Sequence, residues 1–264
     1  MEQLTARDEA PAPVPGPVAS RGHRVLALVG ELMIIVGALL GLYVVWQLFY
    51  TDVQAAREQE QVLEDLPWSD VGAITAPDAA TEVEIIPDEL RMPAASAPVM
   101  DEPSFGTTFA TFYVPRWGED YVKPISEGVT RREILDRLGI GHYPHTAMPG
   151  DLGNFAISAH RTTYGKPFNR IHELKKGDAL VVETEDAWYV YRVTTKDIVR
   201  PTAVEEIAPM PGDAFAEPDD HYITLTSCHP MYSAAERYVV HGVLEYWAPH
   251  GEGVPRELVP EAAS

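Results

Sequence analysis

The single cysteine of this 264-residue chain, Cys228, ends a segment with the pattern of a β-strand. His160 ends the segment "GNFAISAH", and Arg237 begins "RYVVHG". A thiolate is a strong nucleophile when a neighbouring imidazole handles protons, and a fixed guanidinium stabilises a developing oxyanion. Three strand ends at one rim of a barrel would supply what acyl transfer needs. By residue type alone an ordinary interpretation stays open, in which Cys228 is a small apolar side chain and Arg237 pairs with an acid.

Short strands separated by turns dominate the chain after residue 104. Strand patterns occur in "TTFATFYV", "GNFAISA", "ALVVET", "WYVYRV", "YITLTS" and "RYVVHGVLEYW". Residues 129–138, "VTRREILDRL", are the one good candidate for an amphipathic helix in this part. Short strands at this spacing predict an antiparallel barrel or sandwich.

A long apolar run, "VLALVGELMIIVGALLGLYVVWQLFY", occupies residues 25–50. About 20 helical residues cross the hydrocarbon core of a bilayer, so this run is long enough to span it. Tyr43, Trp46, Phe49 and Tyr50 gather at its far end, as aromatic residues do at a membrane interface. Its length and its lack of a good cleavage site favour an uncleaved anchor over a signal peptide.

The charges on the two sides of this run differ. Arg21 and Arg24 precede it, whereas acidic residues dominate after it. The positive-inside rule predicts a single-pass protein of the cell membrane, with a cytoplasmic N-terminus and an extracytoplasmic C-terminal part. A lone cysteine outside the cell cannot form an intramolecular disulfide, so it is an intermolecular partner, a reactive thiol or a buried small side chain.

The acidity of the chain is uneven. The formal net charge is −20, and residues 51–104 hold 13 acidic residues against two arginines. No basic stripe is present, which argues against nucleic acid as a partner. Within 51–104, "AREQEQVLEDL" is expected to prolong the membrane helix. The predicted regions are a disordered cytoplasmic tail (1–24), a transmembrane anchor (25–50), an acidic Pro-rich extracytoplasmic spacer (51–104), a catalytic domain (105–248) and a loose C-terminal tail (249–264).

Several separate segments resemble the sortase family, and class E sortases in particular. "TLTSC" at 224–228 is similar to the TLxTC signature, with Ser227 where Thr is usual. "GHYPHTAMPGDLGNFAISAHRTTYGKPF" at 141–168 resembles the segment around the essential histidine, with His145 where Gly is more usual. "RYVVHGVL" resembles the arginine-bearing last strand, and "VPRWGEDYVKPISEGV" the start of the domain. The motifs follow the family's order over roughly residues 105–247.

This resemblance implies a mainly β fold: a closed eight-stranded barrel with short helices, preceded by the transmembrane helix. It implies a cysteine transpeptidase in which Cys228 attacks the Thr–Gly carbonyl of a Leu-Ala-X-Thr-Gly or Leu-Pro-X-Thr-Gly signal. His160 would transfer protons, and Arg237 would steady the oxyanion or the peptide. The implied partners are secreted proteins bearing a C-terminal sorting signal and the amine of a lipid-linked peptidoglycan precursor. No metal or organic cofactor is implied.

Further residues are predicted to contact the substrate. Two lie in the loop before the histidine strand, one lies two positions before the nucleophile, and three are apolar residues of the long connection at 201–221, which shapes the signal pocket in sortases. The apolar three are expected to hold the leucine of the signal or to cover the barrel. In chain order the six are Tyr143, Thr146, Ile207, Met210, Phe215 and Thr226.

Three other functions stay open at this point. A pilin-polymerising sortase would use a lysine amine of another protein as the acceptor. A membrane-anchored binding barrel would need no thiol chemistry. A hydrolytic cysteine peptidase would release a free acid even when amine is abundant.

Overall fold

The computed structural model describes residues 21–68 and 84–259 of the chain. Its strands are β1 (Thr108–Tyr113), β2 (Val122–Glu127), β3 (Ile140–His142), β4 (Gly153–Ser158), β5 (Ala179–Glu183), β6 (Ala187–Val199), β7 (His221–His229) and β8 (Glu236–Pro249). They close into a barrel in the order β1-β2-β3-β4-β7-β8-β6-β5, because β1 pairs with both β2 and β5. The predicted closed eight-stranded barrel is confirmed.

The helices that accompany the barrel are short. The 3₁₀ helices are Asp88–Leu90, Ala94–Ser96, Pro115–Trp117, Ile171–Glu173, Val204–Ile207 and Arg256–Leu258. The predicted amphipathic helix at 129–138 is instead a five-residue π-helix, Arg131–Leu135, followed by a turn. One of its side chains, that of Ile134, is buried, and Gly139 leaves the turn at a φ of 96°. This single buried contact is too little apolar surface to hold a longer helix on the barrel.

Two of the strand pairs are parallel, although the sequence pattern indicated an antiparallel sheet. These are β2 with β3 and β4 with β7, while the other pairs are antiparallel. Strands β4 and β7 are separated in sequence by β5, β6 and the long connection after β6. Alternation of apolar residues shows that a strand has two faces, but it does not show which distant strand becomes its neighbour.

Strand β6 carries bulky apolar side chains on both faces. Tyr189 and Tyr191 point into the core of the barrel, and Trp188 and Val190 point into a second cluster. Residues 84–104 and 250–259 contribute to this cluster or pair with the barrel nearby, as in the Met92–Trp247 bridge. Residues 84–104 and 250–259, which were expected to be part of a spacer and of a loose tail, therefore pack against the barrel. They do so because the outer face of β6 is apolar and needs a cover.

Helix α1 (Arg21–Glu64) has an apolar first part whose side chains are exposed within the structure, such as Met33 and Ile34. Among the helices of the described residues, α1 is the one long and apolar enough to cross a membrane. The chain divides into two compact units between residues 47 and 48. The predicted prolongation of the helix through "AREQEQVLEDL" is present as far as Glu64.

The last part of α1, residues 48–64, packs on the barrel as part of the second unit. Ala55, Gln59 and Leu63 are buried at intervals of four residues, which places them on one face of the helix. The side-chain amide of Gln59 donates to the carbonyl of Tyr164 at 3.2 Å. The backbone N–H of Gly165 donates to Asp52 Oδ1 at 3.2 Å. Residues 51–64 are thus a docked helix, where the sequence indicated a spacer.

Replacement of Gln59 tests this docking. Gln59→Ala removes the bond to Tyr164 and leaves a gap in a fully buried position, so it should lower the free energy of unfolding by about 1–3 kcal/mol. Gln61→Ala is the matched control, because Gln61 is exposed on the same helix. Thermal unfolding of the full chain in detergent measures both. Equal melting temperatures for the two variants would contradict the docking.

Candidate active site

The register between β4 and β7 brings His160 beside Cys228. Ser158 and Thr226 are partners in this parallel pair, so the residues two positions further along each strand are also neighbours. The contact continues past the end of β4, where the Ser227 hydroxyl donates to the Ala159 carbonyl at 2.8 Å. Two residues 68 positions apart in sequence thereby meet at one rim.

The antiparallel pair of β7 and β8 adds Arg237, which is the direct cross-strand partner of Cys228. Side chains of such partners lie on the same face of the sheet. Ile223 and Leu225 of β7 belong to the barrel core, so alternation turns Cys228 away from the core and towards the outside. Cys228 is partly exposed and carries a free thiol. The three predicted catalytic residues therefore meet at one site.

These residues line a cavity of about 610 Å³. Its described lining includes three arginines, Arg131, Arg161 and Arg237, and no Asp or Glu. This is notable in a chain whose net charge is −20. Arg131 is paired with Asp136 at 3.6 Å, whereas Arg161 and Arg237 form no ion pair within the described residues. Their positive charge favours a ligand or an intermediate that carries negative charge.

Arg237 is held by backbone carbonyls of two residues that precede it in the chain. Its Nη1 donates to the carbonyl of Ala234 at 3.1 Å and to that of Glu236 at 3.0 Å. Among the described residues no carboxylate forms an ion pair with it, so the alternative of an Arg237–Glu236 pair is not observed. The guanidinium keeps its charge available at the rim of the cavity.

His160 has a carboxylate partner that the sequence analysis missed. Its Nε2 lies 2.7 Å from Asp136 Oδ1, and both side chains are largely buried. Asp136 follows the π-helix directly. A proton on Nε2 that is donated to Asp136 leaves Nδ1 without a proton, ready to exchange one in the cavity. No fixed spacing in the sequence links Asp136 to His160. The one sequence signal that could have pointed to Asp136 was its place as an acid inside the predicted amphipathic helix.

The predicted substrate residues before β4 and in β7 have different surroundings. Tyr143 lines the cavity, and its hydroxyl lies 3.0 Å from Thr226 Oγ1. The structure brings these two residues together beside Cys228. Thr146 is turned away from the cavity: its hydroxyl lies 2.9 Å from His142 Nε2 and donates to the Tyr143 carbonyl at 2.8 Å.

The three apolar residues of the β6–β7 connection do not line the cavity around Cys228. The Met210 sulfur lies 3.8 Å from the Tyr222 hydroxyl, which donates to Asp219, and Phe215 is 99% exposed. Ile207 ends the short helix Val204–Ile207, which is tied to β4 because the Asn154 amide donates to the carbonyls of Glu206 and Ala208. A contact of Ile207, Met210 and Phe215 with the substrate stays a prediction.

Comparisons with known proteins agree with this geometry. The family model for the sortase domain matches residues 112–245. Sortase SrtE1 of Streptomyces coelicolor is 32% identical over 269 residues, covering 98% of this chain and 67% of that protein.

Solved structures give the same result. The SrtA sortase from Actinomyces oris is 38% identical with a TM-score of 0.60, covering 65% of this chain and 97% of that one. Sortase E1 from Streptomyces coelicolor, crystallised with a tripeptide in its active site, is 36% identical with a TM-score of 0.55, covering 58% and 98%.

Barrel topology, a lone thiol beside an imidazole and a guanidinium, and the matched family model all indicate one assignment. The chain belongs to the sortase family of cysteine transpeptidases, and its relatives include class E sortases.

Proposed function

We propose that this chain is a membrane-anchored transpeptidase that cleaves a Leu-Ala-X-Thr-Gly or Leu-Pro-X-Thr-Gly sorting signal between Thr and Gly. It would join the new Thr carbonyl to the amine of a lipid-linked peptidoglycan precursor. The observation that supports this most is the meeting of Cys228, His160 and Arg237 at one cavity whose described lining contains no Asp or Glu.

The first half-reaction would form a thioester. The Cys228 thiolate attacks the Thr carbonyl carbon, and the carbonyl oxygen becomes an oxyanion that the Arg237 guanidinium stabilises. The C–N bond to Gly then breaks, and imidazolium at His160 gives a proton to the leaving amine. The signal protein remains bound through its Thr to the sulfur of Cys228.

The second half-reaction would reverse these roles. The amine of the acceptor attacks the thioester carbonyl, and neutral His160 accepts the proton that the amine loses. The C–S bond breaks, Cys228 leaves as thiolate, and an amide joins the protein to the acceptor. Water in place of the amine would give the free acid, so the products distinguish a transpeptidase from a peptidase.

Asp136 would act through His160. A hydrogen bond of 2.7 Å to Nε2 holds the imidazole in one tautomer and one orientation, which keeps Nδ1 for proton transfer. Tyr164 supports the same ring, at 5.3 Å between ring centroids. Asp136 itself does not line the cavity, so we assign it a positioning role.

The membrane placement forms part of the proposal. The apolar part of α1 would anchor the chain, with the N-terminus in the cytoplasm and the cavity outside. The arginines before the apolar run and the acidic residues after it support this orientation. Substrates crossing the membrane and lipid-linked precursors would then reach the cavity on the same side.

A peptide-transfer assay tests the reaction. The full chain in detergent, mixed with both signal peptides and triglycine, should give the Thr–triglycine product, and without triglycine a thioester on Cys228 should be detectable by mass spectrometry. Cys228→Ala should lower turnover by about 10³-fold or more, because it removes the nucleophile. Equal turnover by this variant would refute the mechanism. If the product in abundant amine is the free acid, the chain is instead a peptidase. If the peptide is transferred only to a lysine-bearing peptide, the chain is a pilin-polymerising sortase.

Replacement of Asp136 tests its positioning role. Asp136→Ala should lower kcat by about 10- to 100-fold, because His160 loses its orientation, while KM for the signal peptide changes little. Glu133→Ala removes an exposed carboxylate of the same turn and should keep wild-type kinetics. An unchanged kcat in Asp136→Ala would contradict the assignment, as would an effect confined to KM.

The lone thiol makes the orientation testable. A membrane-impermeant maleimide should label Cys228 in intact cells that express the full chain. In the Cys228→Ala background, Ser20→Cys should be labelled only after lysis, because the N-terminus is proposed to be cytoplasmic. The reverse pattern of labelling would overturn the proposed orientation.

A further inference from the structure

Arg161 follows His160 in sequence and lies on the Cys228 side of the cavity. Its residue exposure is 5%, and it lines the same cavity as Cys228 and Arg237. Most arginines of a folded protein keep the guanidinium in water, because burial of a charge is costly without a partner. A buried arginine beside a nucleophile therefore needs a physical reason.

The contacts of Arg161 converge on the end of β7. Its Nη1 donates to the carbonyl of Cys228 at 3.3 Å and lies 2.8 Å from Nδ1 of His229. Its guanidinium also lies over the ring of Tyr238, at 5.3 Å from the ring centroid. A donor on Nη1 requires an acceptor on Nδ1, so this contact needs a neutral imidazole at His229. Arg161 thus binds both residues at the tip of the nucleophile strand.

No carboxylate balances this charge within the part of the chain that the structure describes. Arg161 forms no ion pair there, and its Nε is buried without a hydrogen-bond partner. Burial lowers the pKa of Arg161 from its ordinary value, and interactions with Tyr238 and Cys228 oppose this effect. A guanidinium remains protonated at neutral pH even so. The uncompensated charge is a source of attraction for an anion that forms nearby.

We propose that Arg161 is a second cationic positioning residue of the active site: it fixes the tip of β7 and favours the thiolate of Cys228 over the thiol. This inference rests on the proposed function for its role in turnover, but its effect on the thiol does not require any substrate. Arg237 has a separate task in this scheme, because its Nη1 donates to the carbonyls of Ala234 and Glu236 and it lies at the rim.

The test separates the charge of Arg161 from its hydrogen bonds. Arg161→Gln keeps a donor and removes the charge, and Arg161→Lys keeps both a donor and the charge. Arg132→Gln is the matched control, because Arg132 is an exposed arginine of the π-helix that does not line the cavity. The full chain in detergent is alkylated with iodoacetamide between about pH 5 and about pH 9, and its melting temperature and transfer kinetics are measured.

Arg161→Gln should slow alkylation about tenfold near neutral pH and approach the wild-type rate at the alkaline end, where thiolate forms without assistance. Arg161→Lys should restore most of the rate, and Arg132→Gln should match the wild type. The proposal is overturned if Arg161→Gln keeps the wild-type pH profile, whether or not its melting temperature falls, or if the Lys and Gln variants are equally slow.

Alkylation also separates this proposal from the proposed function. A wild-type chain that transfers no peptide would count against the sorting reaction, while the alkylation profiles of the variants would still decide the role of Arg161. Normal peptide transfer with identical alkylation profiles would refute the role of Arg161 alone. If Arg161→Gln does not fold, the alkylation of Arg161→Lys decides the question. An alkylation rate of this variant near neutral pH that is more than about tenfold below the wild-type rate overturns a role that depends on charge.

Discussion

The register of strand β7 with its two neighbours is the constraint on which the site depends. Parallel pairing with β4 sets His160 next to Cys228, and antiparallel pairing with β8 sets Arg237 opposite it. Ladder hydrogen bonds thus position three side chains that distant segments contribute. A slip of one residue would turn Cys228 towards the core occupied by Ile223 and Leu225, so the barrel core and the site stabilise the same register.

A second layer of the structure supports the imidazole. Asp136 holds the Nε2 of His160, and Tyr164 lies against the ring. The segments that carry these two residues are contacted from behind by residues 48–64 of α1, where Gln59 bonds the Tyr164 carbonyl. Gly139 and Gly165 make this approach possible, because a Cβ at either position would come within 3.1 Å of Gln59. The docked helix is therefore part of the architecture that orients His160.

The distribution of charge explains how an acidic protein could host the proposed anionic intermediate. The net charge is −20, yet the described lining of the cavity contains arginines and no carboxylate. Of the lining arginines, Arg131 is paired with Asp136, and basic side chains around the cavity are also paired with acids, such as Arg137 with Glu58 and Lys166 with Asp52. Arg161 and Arg237 form no ion pair within the described residues. Long-range repulsion from the acidic surface is screened by salt within about 10 Å, whereas a buried guanidinium acts at short range with little screening. The local charge therefore decides the chemistry.

The sequence alone determined the apolar span of α1 and six of the eight strands, because periodicity, length and residue type are local properties. The closed barrel and the roles of Cys228, His160 and Arg237 were predicted from the resemblance of the ordered motifs to sortases, since the strand pattern left a barrel or a sandwich open. Only the tertiary structure decided the parallel pairing of β4 with β7, the docking of residues 51–64 and the cover that 84–104 and 250–259 place on β6. It also decided that Asp136 is the partner of His160 and that Arg161 bonds the carbonyl of Cys228. It left Ile207, Met210 and Phe215 away from the cavity. These features depend on which distant backbones become neighbours, and no spacing along the chain encodes that directly.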